Sequence, residues 1–244
     1  MHLLIDNSNT RTKFALDLEG ELSTWREVVP TTELSPATLE QALKGQTFDR
    51  VTLCSVVPTA SAMMQDYFEQ PLHQISHRSQ MRLSIDYPDP SKIGADRLAN
   101  ASATLLTHPG PSIVIDFGTA VTFDVISDSG AYLGGVIAPG TASLRDYLHQ
   151  KTALLPAIQL SEPQSAIGRS TEEAMQVGAV IGYRGLIQGI LQEVRRELGG
   201  TPTIFATGGD AQLIRAKIED IKSIDPDLTM KGIQTIGVAN HSLS

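Results

Sequence analysis

Residues 113–124, Ile113-Val114-Ile115-Asp116-Phe117-Gly118-Thr119-Ala120-Val121-Thr122-Phe123-Asp124, constrain the fold more than any other stretch of the chain. An apolar run delivers an aspartate to a strand end, a Gly-Thr turn follows, and an alternating strand leads away. This pattern reads as a tight β-hairpin whose tip offers amides and a hydroxyl to an anion. The same pattern stands at the N-terminus: Leu3-Leu4-Ile5-Asp6, then Asn7-Ser8-Asn9-Thr10, then Arg11 to Leu16. Asp6 and Asp116 are 110 positions apart, with Ser8 and Asn9 where Gly118 and Thr119 stand. One supersecondary unit repeated at half-chain spacing predicts two similar lobes with a cleft between them.

The elements around the two copies repeat as well. The first half reads as strands near 2–6, 10–18 and 22–29, then a helix near 36–44 with Ser35 as N-cap and Pro36 at its first position. A strand at 50–56, a helix at 59–70 and a short strand at 72–76 follow. The second half gives strands near 112–116, 119–127 and 131–138, a break at Pro139-Gly140 and a helix at 141–149. A long helix is expected from about 171 to 198, opened by a capping box of Ser170 and Glu173 and stopped by Gly199-Gly200. A strand at 202–207, the turn Gly208-Gly209 and a helix at about 210–220 complete the series. The order predicts an α/β chain of duplicated ribonuclease-H-like lobes; such a duplication resembles the actin-like ATPase fold, and that resemblance implies a nucleotide cleft between the two lobes. Their boundary is expected at His108-Pro109-Gly110-Pro111, giving lobes 1–110 and 111–244.

Charge narrows the ligand class. The net charge is −8 and no Lys/Arg cluster stands out, which argues against a nucleic-acid partner. A nucleotide remains open, since backbone amides and a metal can hold phosphates. The single cysteine, Cys54, sits in the apolar run 51–57 and reads as a buried strand residue. The six histidines show no metal-ligand spacing. The opening residues do not read as a signal peptide, and no apolar run reaches membrane-spanning length; a cytoplasmic protein without a membrane partner is expected.

Several residues can carry chemistry. A carboxylate repels a phosphate, so Asp6 and Asp116 facing one cleft make sense around a bridging cation, and Mg²⁺ is often held by one or two carboxylates plus phosphates. The simpler account is that both cap turns; their repetition favours function. Asn9, Thr10 and Lys13 add donors at the first tip, Thr119 and Thr122 at the second. Lys13 is placed to reach a phosphate, or equally to lie in solvent. The Thr207-Gly208-Gly209-Asp210 turn puts amides at a helix start and serves as an adenosine or phosphate cradle or as a plain link equally well. Asp96 and Arg97, in Lys92-Ile93-Gly94-Ala95-Asp96-Arg97, open a predicted helix. An aspartate there favours the helix dipole; alternatively it is a general base on a substrate hydroxyl, with Arg97 orienting the substrate or steadying charge.

Taken together these motifs resemble the type III pantothenate kinases of the sugar-kinase and actin superfamily. The pieces are Asp6–Thr10, Gly94–Arg97, Asp116–Thr122, Gly134–Gly140, Ile167–Thr171 and Thr207–Gly209, all in the family's order. The resemblance implies ATP-dependent phosphorylation of pantothenate at its primary hydroxyl, the first step toward coenzyme A. It implies that Asp6, Asn7, Ser8, Asn9, Thr10, Arg11, Thr12 and Lys13 form the ATP phosphate loop, with Thr119 also touching the nucleotide. It makes Asp96 the proton acceptor, Tyr87, Gly94, Ala95, Asp96, Arg97 and Thr171 pantothenate contacts, and Asp116 a ligand of a monovalent cation, K⁺ or NH₄⁺, required besides Mg²⁺. It implies a homodimer with the substrate pocket at its interface. Phosphoryl transfer asks mainly for positioning, charge neutralisation and a base near the nucleophile. Thr171 in a first helical turn suits a carboxylate, though alone it reads as a neighbour of the capping box.

The chain departs from the family at Ser8, where glycine is usual. Positive φ there would strain a serine by roughly 1–3 kcal/mol; the retained neighbours Asp6, Asn9 and Thr10 favour an ordinary backbone. Two rivals share the motifs: another kinase or a phosphatase on the same fold, since a fold does not name a substrate, and a non-catalytic regulatory protein that kept the cleft. The Gly94–Arg97 turn with Thr171 argues against the first, and the retained Asp96, Asp116 and Thr119 against the second.

Overall fold

The computed structural model describes residues 1–241. The chain divides into two compact units: Met1–Pro109 with Gly130–Leu133 and Asp227 onward, and Gly110–Ser129 with Gly134–Pro226. In chain order the first unit contains β1 (His2–Asn7), β2 (Arg11–Leu18), β3 (Glu21–Pro30), α1 (Pro36–Ala42), β4 (Arg50–Ser55), α2 (Pro58–Tyr67), β5 (Leu72–Gln74), β6 (Ser84–Ile85) and α3 (Ala95–Thr107). The second contains β7 (Ser112–Phe117), β8 (Ala120–Ile126), most of β9 (Ala131–Pro139), α4 (Thr141–Lys151) and α5 (Thr171–Val177). Its remaining elements are α6 (Tyr183–Leu198), β10 (Thr203–Gly208), α7 (Ala211–Arg215) and β11 (Ile221–Ile224). The last helix, α8 (Leu228–His241), counts with the first unit.

The duplication read in the sequence is present in the topology. The first sheet runs β3-β2-β1-β4-β5, and the second runs β6-β9-β8-β7-β10-β11, matching the first from β9 to β11 with β6 added at its edge. In each, the central strand pairs antiparallel with its hairpin partner and parallel with the strand after a crossover. The apolar runs that defined the repeat are these central strands: Leu3, Leu4 and Ile5 in β1, and Ile113, Val114 and Ile115 in β7, have no exposure. Strands covered on both faces need unbroken apolar sequence, which is why neither run alternates. Cys54 is buried in β4.

Several elements differ from expectation. The helix from 171 to 198 is one rod with a π-turn at Gly178–Gly182 between α5 and α6; glycines at both ends of that turn let the backbone widen. The helix near 210–220 stops at Arg215, because the chain must turn into β11, and Arg215 Nε donates to the Ile221 carbonyl at 3.2 Å. β11, β6 and α8 were not anticipated. The first unit's opening segment ends at Pro109, and residues 227–241 count with that unit and not with the second. Met230, Ile233 and Ile236 of α8 pack with Leu4, Cys54, Ala95 and Ala99 of the first unit.

His2 gives the first unit a pH dependence. It is fully buried, with Nε2 2.7 Å from Thr52 Oγ1, and His241 stands edge-on to its ring at 5.1 Å. Burial first, then the nearby charges of His241 and Arg50, pushes its pKa from 6.5 to about 4, against a smaller opposing pull from Asp17. The unfolded chain takes up this proton near pH 6.5 and the folded one only near pH 4, so stability is full above 6.5 and falls between those values. The fold is expected to be about 2 kcal/mol less stable at pH 5 than at pH 7.5 from this group. Denaturant midpoints at the two pH values check this, and His2→Gln is expected to flatten the difference.

Candidate active site

The first tip is built by register: Asp6 pairs with Lys13, and Asn7 with Thr12, across the β1–β2 hairpin. Asp6 stands next to the end of β1, its side chain only 3% exposed. Lys13 Nζ donates to Asp6 Oδ2 at 3.1 Å, and Ser8 Oγ donates to Oδ1 at 3.2 Å. The ammonium offsets a buried charge that would otherwise be costly, while the rest of the lysine stays exposed. Asn7 and Thr12 lie inside the hairpin. Asn7 Nδ2 donates to Thr12 Oγ1 at 2.7 Å, and Ser55 Oγ donates to Asn7 Oδ1 at 2.6 Å. These two side chains shape the tip, and Asn9, Thr10 and Arg11 face solvent.

Ser8 has an ordinary backbone: among the described residues the only non-glycine with positive φ is Glu19. Its N–H donates to the Arg11 carbonyl at 3.1 Å, and its carbonyl accepts from Thr31 Oγ1 at 2.7 Å. Ser8→Gly therefore relieves no strain. It is expected to lower stability by about 0.5–1 kcal/mol through added freedom of the unfolded chain, read from denaturant melts.

The second element of the site is the start of α3. Gly94 is the N-cap and offers no side chain, and Asp96 lies in the first turn. Asp96 Oδ1 accepts from the Arg97 N–H at 2.8 Å. Burial raises its pKa above the usual carboxylate range; the Arg97 N–H pulls it back and the charge of Asp6 pushes it up again. Asp6 and Asp96, 90 residues apart in sequence, thus act on one another. Gly94 leaves room for this carboxylate: a Cβ there would lie 2.5 Å from Asp96 Oδ1.

Arg97 turns toward an aromatic pair. Its guanidinium carbon lies 5.7 Å from the ring centroid of Tyr132, and the Tyr87 ring stands 6.3 Å from Tyr132 at 64°. Tyr132 was missed in the sequence, where an aromatic in a predicted strand reads as core. The structure thus gathers Asp6, Ser8, Lys13 and Asp96 in one place, with Arg97 and Tyr87 joined through Tyr132.

The residues of the second unit form two groups. Asp116 ends β7, with Thr122 across on β8 and Thr207 across on β10. Thr119 is exposed at the tip, and its carbonyl accepts from the Gly140 N–H and Ser143 Oγ, each at 3.1 Å. Close packing explains two motif glycines. A Cβ on Gly140 would lie 2.3 Å from the Gly118 carbonyl oxygen, and one on Gly208, at φ 94°, would lie 2.4 Å from that of Phe117. Thr171 opens α5, away from that tip in sequence and element, and lines a cavity of about 640 Å³ with Arg145, Tyr147, Leu155 and Met175. Ser170 Oγ caps this helix at the Glu173 N–H, 3.1 Å away. The return arm of the expected box goes to the N–H of Arg169, at 2.6 Å, instead of that of Ser170.

Residues 2–193 match the type III pantothenate kinase family. The chain is 51% identical over 233 residues to a type III pantothenate kinase of Akkermansia muciniphila, covering 96% of both chains. It is 43% identical over 237 residues to one of Methylacidiphilum infernorum, covering 96% of this chain and 87% of the other. Its fold is similar, at TM-score 0.53 and 15% identity over the whole of both chains, to an inorganic polyphosphate/ATP-glucomannokinase of an Arthrobacter strain. That likeness shows the fold alone, a sugar-kinase and actin-like arrangement. With residues 2–193 matching the family and 51% identity to one of its members over nearly the full length of both chains, the chain belongs to the type III pantothenate kinase family.

Proposed function

We propose that this chain phosphorylates pantothenate on its primary hydroxyl at the expense of ATP, the first step of coenzyme A synthesis, with Asp96 as the base. The observation that carries the assignment of the base is the half-buried Asp96 carboxyl, whose proton affinity burial raises above that of an ordinary carboxylate, making it a better proton acceptor. The substrate hydroxyl gives its proton to Asp96 as its oxygen bonds to the γ-phosphorus, and the bond from that phosphorus to the β,γ-bridging oxygen breaks, leaving ADP. Lys13 and the exposed tip residues 9–11 neutralise and position the phosphates, Thr119 adds a nucleotide contact, and Tyr87, Arg97 and Thr171 orient pantothenate.

Two cations belong to this reading. Asp6 and the Ser8 hydroxyl are hard oxygen donors of the kind Mg²⁺ takes alongside phosphates, and Mg²⁺ supplies charge neutralisation there. Asp116 with Thr122 and Thr207 is an all-oxygen set suited to K⁺ or NH₄⁺. A homodimer is part of the proposal: Tyr147, Leu154 and Ile167 are large apolar side chains left exposed, and a second copy would cover them. No helix among the described residues is long and apolar enough to cross a membrane, and we place the reaction in the cytoplasm.

The test is ADP release with ATP and Mg²⁺, with and without pantothenate, in K⁺ and in Na⁺. Pantothenate-dependent release that falls in Na⁺ is the expected result; release indifferent to pantothenate would give the fold another substrate. Gly94→Ala adds a check on the base. Its Cβ must displace the Asp96 carboxylate, so turnover is expected to fall about 10–100-fold. The melting curve should barely move, because the displaced atoms are the mobile end of a side chain.

A further inference from the structure

Arg97 presents a problem the base alone does not solve. It follows Asp96 directly, and a long flexible guanidinium beside a carboxylate tends to fall onto it. That contact would lower the basicity of Asp96 and take the cation away from the substrate. The charge of Arg97 already lowers the proton affinity of Asp96 against the larger effects that raise it, and a direct ion pair would lower it further unless the guanidinium is anchored elsewhere.

The face of Tyr132 is in place to anchor it. Its ring has no exposure, and the Arg97 guanidinium carbon sits 5.7 Å from its centroid, within the range where a cation is drawn to the negative face of an aromatic ring. Its backbone is equally fixed. β6 and the start of β9 pair in parallel, Ser84 with Ala131 and Ile85 with Tyr132, and the Asp86 N–H donates to the Tyr132 carbonyl at 3.0 Å. That pairing sets the neighbouring Tyr87 ring against Tyr132 at 6.3 Å. One buried ring therefore meets both Arg97 and Tyr87, which come from different segments.

We propose that Tyr132 is a positioning residue for this reaction, its ring face holding the Arg97 guanidinium away from Asp96 and fixing the Tyr87 ring beside it for the acceptor substrate. This role rests on the kinase reading above. Tyr132 itself touches no reacting atom; it acts through its two neighbours.

The test separates the ring's charge distribution from its shape. Tyr132→Phe keeps the face, and phenylalanines carrying one, three and five fluorines, incorporated at 132, keep the shape while weakening its negative face stepwise. Steady-state kinetics and melting temperature are measured for each. The expected result is a kcat/KM for pantothenate that falls stepwise, by about tenfold across the series. KM for ATP and the melting temperature should stay within error, and Tyr132→Phe should lie close to wild type. A flat series in an active enzyme overturns the role of Tyr132 and leaves the kinase reading standing. A wild type without pantothenate-dependent ADP release overturns both. Tyr132→Leu adds a coarser check: if it folds, it is expected to lose at least as much as the most fluorinated ring, and Arg97→Ala/Tyr132→Leu is expected to lose less than the product of the two single losses, because part of the ring's effect runs through Arg97; a fully multiplicative loss overturns that coupling.

Discussion

Replacing Asp96 with asparagine is expected to leave ATP binding near wild type and to lower kcat by about 10²–10⁴-fold, the usual contribution of a positioned base. The amide is nearly the same size, and its oxygen can still accept from the Arg97 N–H as the carboxylate does at 2.8 Å, so the start of α3 should be undisturbed. What is lost is the capacity to take a proton. Wild-type turnover should fall on acidification through a pKa above the ordinary carboxylate value, since burial and Asp6 both favour the protonated form of Asp96. The asparagine variant should lose that acid limb. Isothermal titration with ATP and single-turnover rates across pH 4–8 provide the measurement. Near-full turnover with the acid limb intact would move the base to another group, with Asp6 next to be tried.

Gly232→Ala is expected to cost about 3 kcal/mol or more, at the upper end of what overpacking does. α3 and α8 meet backbone to backbone here: a Cβ on Gly232 would lie 1.9 Å from the Ala99 carbonyl oxygen and 2.4 Å from its carbonyl carbon. Neither atom belongs to a side chain that can rotate away, so the helices must part. Parting them strains the buried bond from Thr229 Oγ1 to Asn100 Oδ1, 2.8 Å long, one turn beyond Asp96 on α3. Melting temperature should drop by about 6–12 °C for a chain of this size. Turnover should fall more than ATP affinity, because α3 carries the base. A melt within 2 °C of wild type would mean that the two helices are not seated as closely as described.

The central architecture was legible because its signals are short-range and repeated. Two apolar runs ending in aspartate fixed two central strands, and Ser35-Pro36 and Ser170 marked helix starts through local capping chemistry that tertiary contacts did not override. α8 was not legible for a physical reason. Gly232 and Gly237 interrupt its helical pattern, and glycine disfavours helix by about 1 kcal/mol each. The same glycines are required by the packing, since a Cβ on Gly237 would lie 2.3 Å from Thr52 Oγ1. At the site, Asp6, Lys13 and Asp96 could be named from motif and chemistry. The inward turn of Asn7 and Thr12 could not, because it depends on Ser55, 48 residues away. Tyr132 depends likewise on a strand pair of only two residues at β6, too short to leave a pattern.

The return of α8 to the first unit reverses the order in which the chain can finish folding during synthesis. β1 leaves the ribosome some 220 residues before Met230, Ile233 and Ile236, which cover one face of it. The segment Gly110–Pro226 can collapse in the meantime, while Leu4 and Cys54 remain without their cover. At about 5–20 residues per second, that interval lasts on the order of ten to forty seconds. For this chain the fourteen residues of α8, Leu228–His241, decide whether the first unit ends as a core or as a sticky sheet.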